Sequence, residues 1–323
     1  MIFEKYINGF SDYLRLKNFS KRTDDSYCFE VKKLIFFISE NYTRIKNIAQ
    51  INKNIILDYL NYLMRYKNKI GKALSSKTIK LKIAAIRHFF KYLLKSDFIL
   101  KDPTLTIESP KEERSLPKNI LTESEVKLIL DSINTRTPIG LRNKTIIELF
   151  YSCGMRTSEL CDLKIHNVDL KEQTVIIEHG KGDKMRILPL GQYAVEYIDQ
   201  YLLKARKFML KGKNNDEGYL FLTVRGKKFN RDTINKCVVH EVVKNLKLNK
   251  NVTCYSMRHA LATHLVQNKV DIRFVQELSG HESLNTTQKY CHLNITDLKK
   301  MHALYHPREA SQNIDIKEDN KEK

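Results

Sequence analysis

Along residues 1–100, apolar side chains recur three and four positions apart. The repeats are Tyr27-Val31-Leu34-Ile35-Ile38, Ile55-Leu57-Tyr59-Leu60-Leu63 and Ile79-Ile83-Ile86-Phe89-Phe90-Leu93. A helix advances about 100° per residue, so this spacing gathers each set into one stripe and predicts four or so helices. Ser20 and Ser76 stand where a side-chain oxygen would cap a helix start. The periodicity breaks over 101–120, where Asp102-Pro103, Ser109-Pro110 and Leu116-Pro117 hold three of the six prolines. Proline lacks the amide donor and disfavours helix before it, so this stretch reads as a linker.

Helical spacing resumes at Leu121-Thr122-Glu123-Ser124-Glu125, where Thr122 and Glu125 have capping-box spacing. One strand signal interrupts it. Thr174–Glu178 and Met185–Leu190 flank the glycine-rich run His179-Gly180-Lys181-Gly182-Asp183-Lys184 and read as a β-hairpin. Residues 309–323 hold five acids and three lysines with no apolar period, the pattern of a disordered tail. The expected fold is therefore mainly α, in two domains. An all-helical domain covers 1–105, a linker 106–118, and a mostly helical domain with a small antiparallel hairpin 119–308, before the tail.

Charge changes the picture most. The 57 Lys/Arg against 37 Asp/Glu leave 57 − 37 = +20, and residues 1–110 alone carry 21 − 10 = +11. Solvated helix faces account for part of that excess. Lys77, Lys80, Lys82, Arg87 and Lys91 crowd one predicted helix, however, which points to a surface that faces nucleic acid. No apolar run is long enough to span a bilayer, and Glu4, Lys5 and Asp12 spoil the start as a secretory signal. Six cysteines, at 28, 153, 161, 237, 254 and 291, show no metal-ligand spacing and suit a reducing, cytoplasmic protein.

The candidate chemistry lies toward the C-terminus. Arg258 opens Arg258-His259-Ala260-Leu261-Ala262-Thr263-His264-Leu265, His281 follows 281 − 258 = 23 residues later, and Tyr290 stands 290 − 281 = 9 beyond that. Arginine offers a planar fork to two phosphate oxygens, histidine can donate or accept a proton, and tyrosine can form a phosphate ester. Arg156 follows Cys153-Gly154, where a helix should end, with Thr157 placed to cap the next one. Ser256 is the expected cap of the Arg258 helix. His259 and His264 read as structural.

These segments, with Cys153-Gly154-Met155-Arg156-Thr157-Ser158-Glu159-Leu160, the Gly180–Lys184 turn and Leu278-Ser279-Gly280-His281-Glu282-Ser283-Leu284-Asn285-Thr286-Thr287-Gln288-Lys289-Tyr290, resemble the tyrosine recombinases of the phage integrase superfamily. The resemblance spans about residues 3–308, and Ser109-Pro110-Lys111 and His306-Pro307-Arg308 point to its Xer-type branch. It implies a two-domain clamp of core-binding and catalytic domains. It also implies Tyr290 as nucleophile, with Arg156, Arg258, His281 and Tyr255 around the phosphate and Lys181, rather than Lys184, as proton donor. Most members carry His where this chain has Tyr255.

The implied activity is site-specific DNA recombination through a 3′-phosphotyrosyl intermediate, with resolution of chromosome dimers as the leading role. The rivals are an integrase or transposase of a mobile element, a type IB topoisomerase, and an inactive DNA-binding regulator. The implied partners are duplex DNA with inverted half-sites, a homo- or hetero-tetramer on two duplexes, and a DNA translocase as activator. No cofactor, metal or membrane insertion is expected, and the protein would associate with the nucleoid. Leu298–Tyr305 resembles the helix that docks on a neighbouring subunit, with packing on its own domain as the alternative.

Overall fold

The computed structural model describes residues 3–67, 71–110, 120–178, 185–210, 216–244, 246–280 and 295–308. The chain divides into two compact units, Met1–Leu116 and Pro117–Lys323.

The first unit is built from α1 (Glu4–Leu16), α2 (Lys21–Asn41), α3 (Lys53–Arg65) and α4 (Ser76–Lys95). Ser20 caps α2, its Oγ accepting the Thr23 amide at 3.3 Å. In the Ser-Ser pair before α4, Ser75 rather than Ser76 is the cap, accepting from Thr78 N–H at 3.2 Å. Only Ser75 stands three residues before an unpaired amide of the first turn. The stripe Ile79, Ile83, Ile86, Phe89, Phe90 and Leu93 is buried against Phe10, Leu14, Val31, Leu34 and Ile35. Phe10 meets Phe89 edge-on at 5.4 Å between ring centres. Burying each such side chain contributes about 1.5–3 kcal/mol, which is what holds an otherwise strongly charged helix in place.

The basic residues of α4 do not share one role. Lys77, Lys80 and Lys91 are exposed. Lys82 is not: it is 7% exposed and paired with Glu30. Five positions after Lys77, it lies about 140° around the helix, inside the apolar stripe. Arg87 is half-buried and ties down the chain beyond α4, donating to Ile107 O and, at 3.4 Å, to Ser109 Oγ. Both therefore leave the predicted nucleic-acid face. Ile107 is itself buried in this core, so the stretch expected to be linker packs against the first unit through Ser109.

The second unit is organised around α6 (Pro138–Cys153), whose Leu141, Ile146, Ile147, Leu149 and Phe150 are all buried. Against it pack α5 (Glu123–Asp131), α8 (Gln192–Gln200) and α12 (Cys254–Gln267). Helix α8 runs through a π-helical turn, Tyr201–Arg206, into α9 (Lys207–Leu210). The other α-helices among the described residues of this unit are the short α7 (Thr157–Asp162), α10 (Arg231–Ile234) and α11 (Glu241–Val243), then α13 (Ile272–Ser279) and α14 (Ile295–Tyr305). The expected capping box is present, Thr122 N–H donating to Glu125 Oε2 at 2.7 Å and Glu125 N–H to Thr122 Oγ1 at 3.2 Å. Strands β2 (Thr174–Ile177) and β3 (Arg186–Pro189) pair antiparallel with Val175 opposite Leu188, and β1 (Val168–Asp169) adds a third strand beside β2.

Helix α14 packs on its own unit. Leu298 is buried, His302 Nε2 meets Ser152 O at 2.8 Å, and His306 Nε2 meets Tyr151 O at 3.0 Å. These are carbonyls of the last turn of α6, which that helix cannot satisfy itself. Burial lowers the pKa of both imidazoles, that of His302 to about 4, so both are neutral donors at pH 7.

Candidate active site

Two glycines set the frame. Helix α6 stops at Gly154, in the left-handed region at φ +58°, and α13 stops at Gly280, at φ +57°. Glycine adopts this conformation without the penalty a Cβ brings, so each helix can turn away sharply. The chain leaving Gly154 presents Arg156 at the start of α7. Thr157 does not cap that helix; Arg156 occupies the cap position, and Glu159 Oε2 accepts its backbone N–H at 2.7 Å. Likewise Thr253, not Ser256, caps α12, accepting from Ser256 N–H at 3.2 Å. That register places Tyr255 and Arg258 in the first turns of α12, at its electropositive end.

Arg156 and Arg258 come together from 102 positions apart (258 − 156 = 102). With Met155, Thr157, Arg231 and Tyr255 they line a cleft of about 350 Å³. Arg258 is 7% exposed and donates to Gly154 O at 2.5 Å and to Ser279 O. Arg156 donates to Glu159 Oε1 at 2.8 Å and to Gly280 O. A guanidinium carries five N–H donors. Two from each side chain serve these contacts among the described residues, which leaves donor capacity for an anion in the cleft.

The electrostatics are those of an anion site. Burial, and then the neighbouring Arg156 charge, lower the pKa of Arg258 to about 10, which still leaves it cationic at pH 7. Burial alone would raise the pKa of Glu159. Hydrogen bonds from Arg186 and the Arg156 amide, with the charge of Arg186, reverse that and hold it at about 2. Three arginines thus surround one ionised carboxylate, and the excess charge is positive. Cys254 also lines the cleft, but burial pushes its thiol up to about 12, so it is a protonated bystander rather than a nucleophile.

Of the residues expected from sequence, Arg156, Arg258 and Tyr255 share this cleft. Tyr255 is 70% exposed, its ring 5.9 Å from that of His259. His264 is buried between Tyr151 Oη at 2.9 Å and Leu121 O at 2.8 Å, the satisfied structural imidazole expected of it. Lys181, His281 and Tyr290 lie outside the described residues. Sequence reasoning missed Arg186 on β3 and Arg231 on α10. In a chain with 57 Lys/Arg neither has a local signal of its own.

A mostly helical second unit with a three-stranded antiparallel edge and two arginines in one cleft defines a class that the comparisons identify. The phage integrase family pattern matches residues 119–296, and the phage integrase N-terminal SAM-like domain matches residues 6–99. Tyrosine recombinase XerC of Bacillus pumilus is 34% identical over 94% of this chain and 97% of its own length. Tyrosine recombinase XerD of Staphylococcus aureus is 36% identical over 92% and 98%. In fold, the chain resembles lambda integrase in a tetramer bound to a Holliday junction, with TM-score 0.63 and 17% identity over 90% of this chain and 80% of that one. The chain belongs to the phage integrase family. Within it, this is a Xer-type tyrosine recombinase, an enzyme of site-specific DNA recombination.

Proposed function

We propose that this recombinase cuts and rejoins DNA by transesterification at phosphorus, with Tyr290 as nucleophile. Tyr290 Oη forms a bond to the scissile phosphorus, and the bond to the 5′-oxygen breaks, giving a 3′-phosphotyrosyl link and a free 5′-hydroxyl. His281 takes the tyrosine proton and Lys181 gives one to the departing oxygen. Arg156 and Arg258 neutralise the charge that grows on the non-bridging oxygens, and Tyr255 donates to the same oxygens. The ester conserves the energy of the broken bond, so rejoining needs no nucleotide. The observation that carries this reading is the pair of partly buried guanidiniums, Arg156 and Arg258, in one cleft with the hydroxyl-bearing Tyr255.

By likeness to the recombinases above, the substrate is duplex DNA with inverted half-sites. Four copies then act on two duplexes; lambda integrase, of like fold, is a tetramer when bound to a Holliday junction. Near-full-length likeness to XerC and XerD supports recombination of the Xer type over a mobile-element role; the task we propose on that reading is resolution of chromosome dimers at the nucleoid, with a DNA translocase as activator. A nicked suicide substrate tests the chemistry: wild type should yield an SDS-resistant, 3′-linked adduct, and its failure to do so would refute the reading.

Binding should weaken steeply with salt. Each neutralised phosphate lowers log K by about 0.9 per log unit of salt, and Lys77, Lys80 and Lys91 are among the contacts expected. A titration by fluorescence anisotropy between low and physiological salt that stays nearly flat would exclude an extended basic interface.

The tyrosine at position 255 has its own consequence. A phenol hydroxyl donates a hydrogen bond well but is a poor proton acceptor at pH 7. Tyr255→Phe should slow cleavage by about 10²–10³-fold, the loss of one donor to a developing charge. Tyr255→His should match or exceed wild type, and His281→Ala should be slower than Tyr255→Phe. A nearly silent His281→Ala beside a dead Tyr255→Phe would reverse the roles given to the two residues.

A further inference from the structure

We infer that Arg186 is a positioning residue for recombination: by neutralising buried Glu159 it holds Arg156 in register with the C-terminal end of α13. This rests on the reading of Arg156 as a phosphate ligand.

The argument begins with the carboxylate. The Glu159 side chain is 2% exposed, and a buried carboxylate stays ionised only if it is paired and hydrogen-bonded. Arg186, projecting from β3, meets it with both ends of its fork, Nη1 to Oε1 at 2.9 Å and Nη2 to Oε2 at 2.8 Å. Each oxygen then accepts once more from Arg156, Oε1 from Nη1 at 2.8 Å and Oε2 from the backbone amide at 2.7 Å. Glu159 therefore fixes both the main chain and the side chain of Arg156, and Arg186 keeps Glu159 in the charged form that can do so.

The same arginine reaches the second helix end. A Cβ on Gly280 would lie 3.2 Å from Arg186 Cζ, 3.3 Å from its Nε and 3.2 Å from Arg156 Nη1. The two guanidiniums thus form the floor beneath Gly280, whose carbonyl accepts from Arg156. Ser279 O accepts from Arg258. Arg186 therefore supports the C-terminal end of α13. One N–H of each Nη serves Glu159, its Nε is buried without a partner among the described residues, and Arg186 does not line the cleft shared by Arg156, Arg258 and Tyr255. Arg186 thus acts through its neighbours rather than on the phosphate.

Removing Arg186 should change how Glu159 titrates. Among the described residues, the charged and titratable groups facing it are Arg156, Arg186, Arg258 and the Cys153 thiol, itself pushed up to about 12 by burial. Without Arg186, burial remains and the strongest opposing partner is gone. The Glu159 carboxyl should then protonate at higher pH and release Arg156. The sign follows from linkage. In wild type the depressed Glu159 contributes stability above its unfolded pKa, lost only as pH falls toward about 2. In Arg186→Met, a raised Glu159 would contribute below the unfolded pKa and lose that contribution as pH rises.

The experiment measures single-turnover cleavage of a nicked suicide substrate, and Tm, from pH 5 to pH 9. It compares wild type, Arg186→Met, Arg186→Lys and the charge-neutral double variant Glu159→Gln/Arg186→Met. Arg186→Met should lose about 10²-fold in cleavage at pH 7, the usual cost of a displaced ligand. Its acid limb should move up by about one pH unit or more, and its Tm should fall relative to wild type as pH rises. Arg186→Lys should recover most of the rate, and the double variant should lose the shifted limb. Should Arg186→Met not fold, the lysine and double variants carry the comparison. A slow Arg186→Met with the wild-type pH profile, or one that cleaves at the wild-type rate, overturns the inference. Absence of any adduct from wild type would instead sink the proposed chemistry, and the Tm profiles would still report on Arg186.

Discussion

Tyr290→Phe should form no covalent adduct with DNA while binding its site as tightly as wild type. The substitution removes one oxygen, the atom proposed to attack, and keeps the aromatic ring, so binding by the basic surface should be untouched. On a nicked suicide substrate the wild-type protein should accumulate a 3′-linked adduct that survives SDS, because the short strand beyond the nick diffuses away and cannot be rejoined. The expected loss is complete within detection. Water cannot stand in, since an attack by water would leave a cut strand with no protein attached. Gel mobility shift and SDS gel on the same reaction separate the two properties. An adduct of undiminished yield from the phenylalanine variant would assign the nucleophile to another residue.

Arg258→Ala should be nearly as damaging for a different reason. Arg258 is buried, still charged, and bonded to Gly154 O and Ser279 O, so it joins the two helix ends as well as facing the cleft. Loss of a guanidinium that stabilises phosphoryl-transfer charge costs on the order of 10³-fold or more in rate. The two carbonyls left without their charged donor should cost stability as well, about 1–3 kcal/mol each where water cannot reach them. Arg258→Lys separates these effects. It keeps a cation but lacks the planar fork, so it cannot serve both carbonyls and an anion together. Single-turnover cleavage and a urea unfolding midpoint on both variants provide the test. If Arg258→Ala cleaved within tenfold of wild type, the cleft would not be the phosphate site.

Much of this could be read from the chain itself because it depends on near neighbours. The α4 stripe is a matter of three- and four-residue spacing. Gly154 and Gly280 stop α6 and α13 because a left-handed residue is needed at each end, and glycine supplies it. The capping box at Thr122 and Glu125 is three residues long. Errors of one position, such as Ser76 for Ser75, arise because adjacent hydroxyls look alike in sequence and only the amide that each can reach distinguishes them. Lys82 had a signal that went unused: it falls among Ile79, Ile83 and Ile86, so a charge there had to find a buried partner.

Local pattern, then, determined the helices, several of their ends and Arg156 and Arg258 as candidates, and likeness to a known family added Tyr255. Tertiary structure alone decided what each charge does. Arg186 meets Glu159 across 27 positions, Arg156 meets Gly280 across 124, and His306 satisfies a carbonyl of α6 across 155. No periodicity encodes such pairings. They follow from which helix ends and strand edges the packed core brings together, and from the cost of leaving a charge buried there without a partner.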